Sequence, residues 1–380
     1  MLKLAVLSIS SLIISFASVS GVFPSLQSEL ELSQLQSDLM MTIPALAVVI
    51  FIFLSNLIVK YLGIKNTVLI GMIVSGVGGV FPTFVQSFIP ILISRFLLGA
   101  GVGLVNTWAV RYITLLFEPE VRAKMMGYRS SAEIIGQMIV ALTASFLFNL
   151  RWELSFLAYS IAFVSAFLIL IFVPSVELPK DADTNEEKVK MPFVIYLLAV
   201  FASMVVMLGA TIAFRYPSLA TVIRGLDYNP NFMMGIWPIF SIIAAITYGR
   251  LSALLGRKLI YVALTLLIIA AFLSGIFANN YLMIVTGLFL HGVVPAWIFP
   301  FVFMTAAKIT TGKMQSTAFS YIAAGIKIGV FSIPFSARLF EIIFNSTSLS
   351  LPYLVFGSVL FCAMIYIALF GAKIVRKAYL

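Results

Sequence analysis

Seven charged side chains within or at the edges of the long apolar runs of this sequence are singled out: Arg95, Arg111, Arg129, Arg215 and Lys327 as cations, Glu133 and Asp38 as acids. A charge surrounded by hydrocarbon is costly on every transfer scale, so each must pair, meet a ligand of opposite sign or reach water. The excess of cations favours an anionic ligand. The planar fork of Arg215 suits a carboxylate or phosphate, and Lys327, between Gly325 and Gly329, offers a point charge. Glu133 is the candidate proton carrier, and Arg129, one turn earlier on a helix, is the partner that would instead hold it as a structural pair.

Other reactive constellations are missing. The chain has 1 His, His291, and 1 Cys, Cys362, so it offers no Cys/His cluster for a metal and no internal disulfide. It has no phosphate-cradling GxxxxGK[ST] loop and no pair of carboxylates placed for acid–base work. The expectation is a protein that is not an enzyme and uses no cofactor or metal. His291, followed by Gly292 and Pro295, reads as a packing or kink residue more readily than as a titrating one.

The elements that hold these residues follow from composition. With 62% hydrophobic and 10% charged residues among 380, the chain lies far from the balance of a soluble domain. Lipid offers no partner to a bare N–H or C=O, so its long apolar runs must be helices, and the alternation of a membrane barrel is absent. At about 20 apolar residues per span the chain divides into about twelve. The expected spans are 4–24, 37–59, 66–86, 88–112, 125–147, 153–173, 192–214, 229–252, 259–278, 281–306, 315–336 and 351–372.

One break, from Pro174 to Pro192, is long and strongly charged, and it reads as a linker between two halves. The expected organisation is an N-terminal six-helix half (1–173), a cytoplasmic linker (174–191) and a C-terminal six-helix half (192–380). Phe23-Pro24-Ser25-Leu26 recurs as Tyr216-Pro217-Ser218-Leu219, and Ser55-Asn56-Leu57 as Gly249-Arg250-Leu251. Lys124-Met125 with Gly136 recurs as Lys313-Met314 with Gly325, so the halves read as pseudo-symmetric duplicates. The first run, as partner of the seventh, is then a permanent span rather than a cleaved signal.

The net charge of +10 sits in the breaks and not on a nucleic-acid-binding stripe. Cytoplasmic termini put Lys3, Lys60, Lys65, Arg122, Lys124, Arg257, Lys258, Lys308, Lys313, Lys373, Arg376 and Lys377 inside, leaving Arg151, Arg224 and Arg338 outside.

Three stretches carry a family likeness. Gly249-Arg250-Leu251-Ser252-Ala253-Leu254-Leu255-Gly256-Arg257-Lys258 is similar to the G-x-L-x-D-R-x-G-R-R loop of the major facilitator superfamily, with Ala253 at the acidic position. The matching loop of the first half holds Lys60, Gly63 and Lys65, with Val59 at the acidic position. Arg95-Phe96-Leu97-Leu98-Gly99-Ala100-Gly101-Val102-Gly103 resembles the second signature, an arginine leading a glycine-rich helix, and Gly127 to Gly136 is half of the antiporter signature.

The resemblance implies a secondary transporter of a small solute working by alternating access, inserted as a monomer in the cell membrane. It places Arg95 in a cavity or charge relay. Trp108, Trp237 and Trp297 fall in spans that border the cavity in this family, and the span of Arg215 lines it. Gly249, Gly256, Arg257, Lys258, Lys60 and Gly63 become the conformational loops. A proton-coupled organic anion carrier is the first reading, with proton-coupled multidrug or sugar efflux as alternatives. A receptor or structural membrane protein without transport is the competing class, against which the duplicated halves and interior charges stand.

Overall fold

The computed structural model describes residues 1–176, 191–310 and 312–378, and every regular element among them is helical. The expected linker lies outside them over 177–190, as do the side chains of Arg122, Arg257, Lys313 and the residues after Ile365. Two compact units form: Met1–Met191 with Leu226–Ile236, and Pro192–Gly225 with Trp237–Leu380.

The first unit contains α1 (Leu2–Ser8), α2 (Phe23–Glu29), α3 (Gln34–Val80), α4 (Phe88–Leu116), α5 (Pro119–Phe148) and α6 (Ile161–Phe172). The expected first span is not one helix. Between α1 and α2 the chain runs through 3-10 turns at Ser15–Ala17 and Ser20–Val22. Serine explains part of this. The hydroxyls of Ser8, Ser11 and Ser15 donate back to the carbonyls of Ala5, Ser8 and Ser11 at 2.8, 2.8 and 2.7 Å, competing with the backbone for acceptors.

α3 begins at a capping box in which Ser33 and Gln36 satisfy each other's backbone N–H groups. It holds two expected spans in one element, broken only at Gly63, whose φ of 75° is open to glycine and strained for other residues. The glycines of α4 seat it against α3. A Cβ on Gly99 would fall on the backbone of Pro44, and one on Gly103 on that of Val48, so these two positions set the approach of the helices.

The second unit contains α7 (Phe193–Arg224). After α8 (Asn231–Ile236), which packs in the first unit, it continues with α9 (Pro238–Leu255), α10 (Leu259–Ile276) and α11 (Tyr281–Ile309). α12 (Gly312–Phe331), α13 (Ile333–Phe344) and α14 (Leu351–Ala378) complete it. α12 lies along α7, with Gly325 facing Ala199 and Gly329 facing Ser203. Trp297 Nε1 donates to the carbonyl of Ala244 at 3.0 Å and ties α11 to α9.

The segment Leu226–Ile236 packs with the first unit through asparagines. Asn229 Nδ2 donates to the Ser145 carbonyl at 2.7 Å and to Asn149 Oδ1 at 2.9 Å, and Asn231 Oδ1 accepts from Gly21 N at 3.0 Å. The expected eighth span, 229–252, is met by Asn231–Leu255, which stays helical through Trp237 and whose first turns pack in the first unit.

Among the described residues 8 helices are long and apolar enough to cross a membrane, or 9 if Thr317–Phe331 and Ile333–Phe344, bent by 47°, are one span. The expected twelve are not all counted this way, for physical reasons. The first run is broken, Gln34–Phe84 counts once at 51 residues, and only Leu351–Ile365 of the last run is described in full.

Candidate functional site

Arg95 is fully buried in the first unit and holds three elements at once. Its Nε donates to the carbonyl of Met40 at 3.3 Å, Nη1 donates to Tyr159 Oη at 3.3 Å, and Nη2 donates to the carbonyl of Phe16. The guanidinium also lies 5.7 Å from the Phe23 ring centre and 5.6 Å from that of Tyr159. Tyr159 Oη in turn donates to the carbonyls of Ser15 and Phe16 at 3.0 and 2.9 Å. The acceptors exist because the helices are irregular there. Pro44, inside α3, has no N–H to give to Met40 four residues back, and the 3-10 stretch turns the carbonyls of Ser15 and Phe16 toward Tyr159.

Glu133 is ion-paired with Arg129 one turn earlier on α5, Nη2 to Oε1 2.6 Å, both side chains mostly buried. Trp108 is buried on α4, and Arg111 stacks on it with its guanidinium carbon 5.3 Å from the ring centre. Trp108 Nε1 and, one turn on, Tyr112 Oη are buried without a hydrogen-bond partner among the described residues.

In the second unit Arg215 is 1% exposed on α7, just before Pro217. Lys327 lies half-buried on α12, on the side away from the glycine face that meets α7. The register of that contact puts Lys327 level with residue 201 of α7, and Arg215 lies about 21 Å further along the axis at 1.5 Å per residue. The two cations are therefore not brought to one point. Trp297 is bound to α9, and Trp237 stacks on His291 with ring centres 5.4 Å apart and planes 24° apart.

The two loops share a backbone feature. Gly256, after α9, has φ 52°, and Gly63 occupies the matching place in the first unit. Lys60, Gly249 and Lys258 are exposed around these turns, while the Arg257 side chain lies outside the described residues. Lys60, Gly63 and Lys65 line a cup of about 330 Å³ with Asn66, Ser175 and Val176.

A sequence profile described as Major Facilitator Superfamily matches residues 5–246, well over half of the chain. The chain belongs to this superfamily. Its fold agrees with solved transporters of low sequence identity. The xylose transporter XylE from E. coli, in an inward open conformation, matches at TM-score 0.73 and 16% identity, covering 96% of this chain and 94% of that one. The nucleoside transporter NupG matches at 0.76 and 12%, covering 96% and 99%. A peptide transporter, POT, in complex with sulfate matches at 0.77 and 13%, covering 98% and 94%. No curated protein matches the sequence.

This superfamily member is an integral membrane protein and a transporter of a small molecule, not an enzyme. Sequence reasoning singled out Arg95 but missed the partners it holds. The signal was present: Pro44 stands four residues after Met40 and so releases a carbonyl. Tyr159 carried no such signal. The Trp237–His291 stack was equally hidden, because its two members lie far apart in sequence.

Proposed function

We propose that the protein is a twelve-span secondary transporter of the cell membrane. It works as a monomer, by alternating access of two duplicated halves, and carries an organic anion coupled to protons. The observation that supports this most is the excess of cations over acids among the charges of the apolar runs, Arg95, Arg215 and Lys327 above all, in a chain of transporter fold. Arg215 and Lys327 are the groups proposed to meet the anion. Arg95, Trp108 and Trp297 shape the path, and Gly249, Gly256, Arg257, Lys258, Lys60 and Gly63 form the loops that turn as the halves move. Counterflow in proteoliposomes tests the reading: organic anions should compete, and competition by neutral sugars or lipophilic cations alone sinks the anion assignment.

Proton coupling rests on Glu133. The Arg129–Glu133 pair gives a carboxylate a partner it can leave when it takes up a proton. Glu133→Gln should flatten the pH dependence of uptake while counterflow, which needs no net proton movement, persists. An unchanged pH profile removes Glu133 from the coupling step.

The orientation proposed places both termini and 174–191 in the cytoplasm, with Asn279, Asn280 and 345–350 outside, as the distribution of basic residues favours. In a Cys362→Ser background, Ser348→Cys should label from outside intact cells and Asp183→Cys only after permeabilisation. Labelling of the Asp183→Cys protein from outside reverses the topology.

A further inference from the structure

One cavity of the first unit carries a charge opposite to that of the chain. Its volume is about 530 Å³, within the range of small-molecule sites, and its lining belongs wholly to Met1–Met191 and Leu226–Ile236. Glu29 and Asp227 line it together with Ser25 and Ser28, and no lysine or arginine does so among the described residues. In a sequence with 24 basic residues against 14 acidic ones, two acids around one cavity without a base reverse what composition supplies. The nearest base along the chain, Arg151, is engaged elsewhere: its Nη2 donates to Glu153 Oε1 at 2.7 Å.

The lining is held in place by its own bonds. Trp152 Nε1 donates to Glu29 Oε2 at 2.6 Å, which fixes the carboxylate beside the indole and leaves Oε1 as an acceptor. That bond also uses the one donor of the indole, so Trp152 has only its ring to offer a ligand. Asn149 Oδ1 accepts from Asn229 Nδ2 at 2.9 Å, tying the end of α5 to the segment that begins with Leu226 and Asp227. The Asp227 carboxylate has no partner among the described residues. α2 links the cavity to the buried arginine. Phe23 packs on the Arg95 guanidinium, and Glu29 lies about 9 Å further along the helix axis at 1.5 Å per residue.

The chemistry of the set selects the ligand. Carboxylates accept hydrogen bonds, serine hydroxyls can accept them, and an indole face attracts cations. Phe148 and Leu226 add apolar lining. An anion would be repelled by both acids. A metal ion needs a closer cage of oxygens, and no group of three or more His, Cys, Asp or Glu able to hold one occurs among the described residues. An ammonium on a hydrocarbon body matches both the acceptors and the rings. From this we infer that the cavity binds an organic ammonium, a primary amine with an aromatic or alkyl body. In the proposed orientation the cavity opens on the outer side, where Arg151 also lies, so the amine is an external ligand. Such a site shares no residue with the proposed anion path and stands whether or not the solute is an anion.

Isothermal titration of the purified full-length protein tests it with four probes: 2-phenylethylammonium, its neutral analogue 2-phenylethanol, the anion 3-phenylpropionate, and Ca²⁺. The ammonium should bind at least about tenfold more tightly than either organic analogue, and less tightly as salt is raised, because both acids are exposed. Glu29→Gln and Asp227→Asn should each weaken it about threefold, within the range of exposed ion pairs. Trp152→Leu, which removes the ring, should weaken it more than Trp152→Phe, which keeps an aromatic face. Glu118→Gln, at the other end of α5, should leave binding unchanged. Binding of 2-phenylethanol as tight as that of the ammonium, no binding of the ammonium, indifference to Glu29→Gln and Asp227→Asn, or an equal loss in Glu118→Gln overturns the inference. So does Ca²⁺ binding that is tighter than the ammonium's and is abolished by the same two variants. Counterflow keeps the readings apart: amine binding in a protein that shows no flux retains the ammonium site and counts against transport alone.

Discussion

Arg95→Ala is expected to lower transport at least about tenfold at equal membrane content, the factor that ~1.4 kcal/mol produces. It should also destabilise the purified protein. Three hydrogen bonds are lost, to Met40, Tyr159 and Phe16. Polar contacts inside membrane proteins contribute about 0.6–1.7 kcal/mol each, so the sum is about 2–5 kcal/mol. The larger consequence concerns position. The Met40 carbonyl would lose this donor and the Phe16 carbonyl would keep Tyr159 Oη alone of the two, so α3 around Pro44 and the 3-10 stretch of the first run would shift. Arg95→Lys keeps the charge but cannot present a planar fork to acceptors on separate elements, so it should recover stability more than transport. Thermal unfolding and initial uptake rates, measured on both variants, separate the two effects. Wild-type uptake by a normally inserted Arg95→Ala protein would leave Arg95 a purely structural clamp.

How far the sequence could be read follows from what each signal measures. Hydropathy measures composition, so it found the apolar runs, yet it could not tell that the first is broken between Ser8 and Phe23. Ser-rich apolar stretches are compatible with either state, and the choice is made by Arg95 and Tyr159, which draw on carbonyls from elements far away in sequence. Gly99 and Gly103 were legible because close helix approach demands small residues one turn apart, and they meet Pro44 and Val48. Gly63 and Gly256 were legible because both loops need a turn that other residues resist, and both have positive φ. The eighth span was legible as 229–252, but the docking of its outer end in the first unit through Asn229 and Asn231 depends on side-chain hydrogen bonds that no periodicity encodes.

The cation pair gives the other large expected effect. If the solute is anionic, Lys327→Ala and Arg215→Ala should each weaken inhibition of counterflow by an organic anion about tenfold. Charge-assisted hydrogen bonds contribute about 1.5–3 kcal/mol, which spans that factor. Their separation along α7 fixes how the effects combine. With about 21 Å between their levels, one small carboxylate cannot touch both, and distant sites with no shared partner act independently. An organic anion with an acidic group at each level should therefore lose about a hundredfold in the double variant, the product of the single losses. Lys327 sits opposite the glycine face of α12, on the side that also carries Ser320, as a polar stripe within an apolar helix requires. Arg215 is buried two residues before Pro217, at a different level of the same unit. An anion carried past both levels in succession would make each residue matter for rate, with Arg215→Ala and Lys327→Ala slowing different directions of flux. A double variant no worse than the poorer single one would mean that both cations act on one bound group, against the register of α7 and α12. Indifference of both single variants to every anion tried would return the two residues to structural roles and leave the solute uncharged.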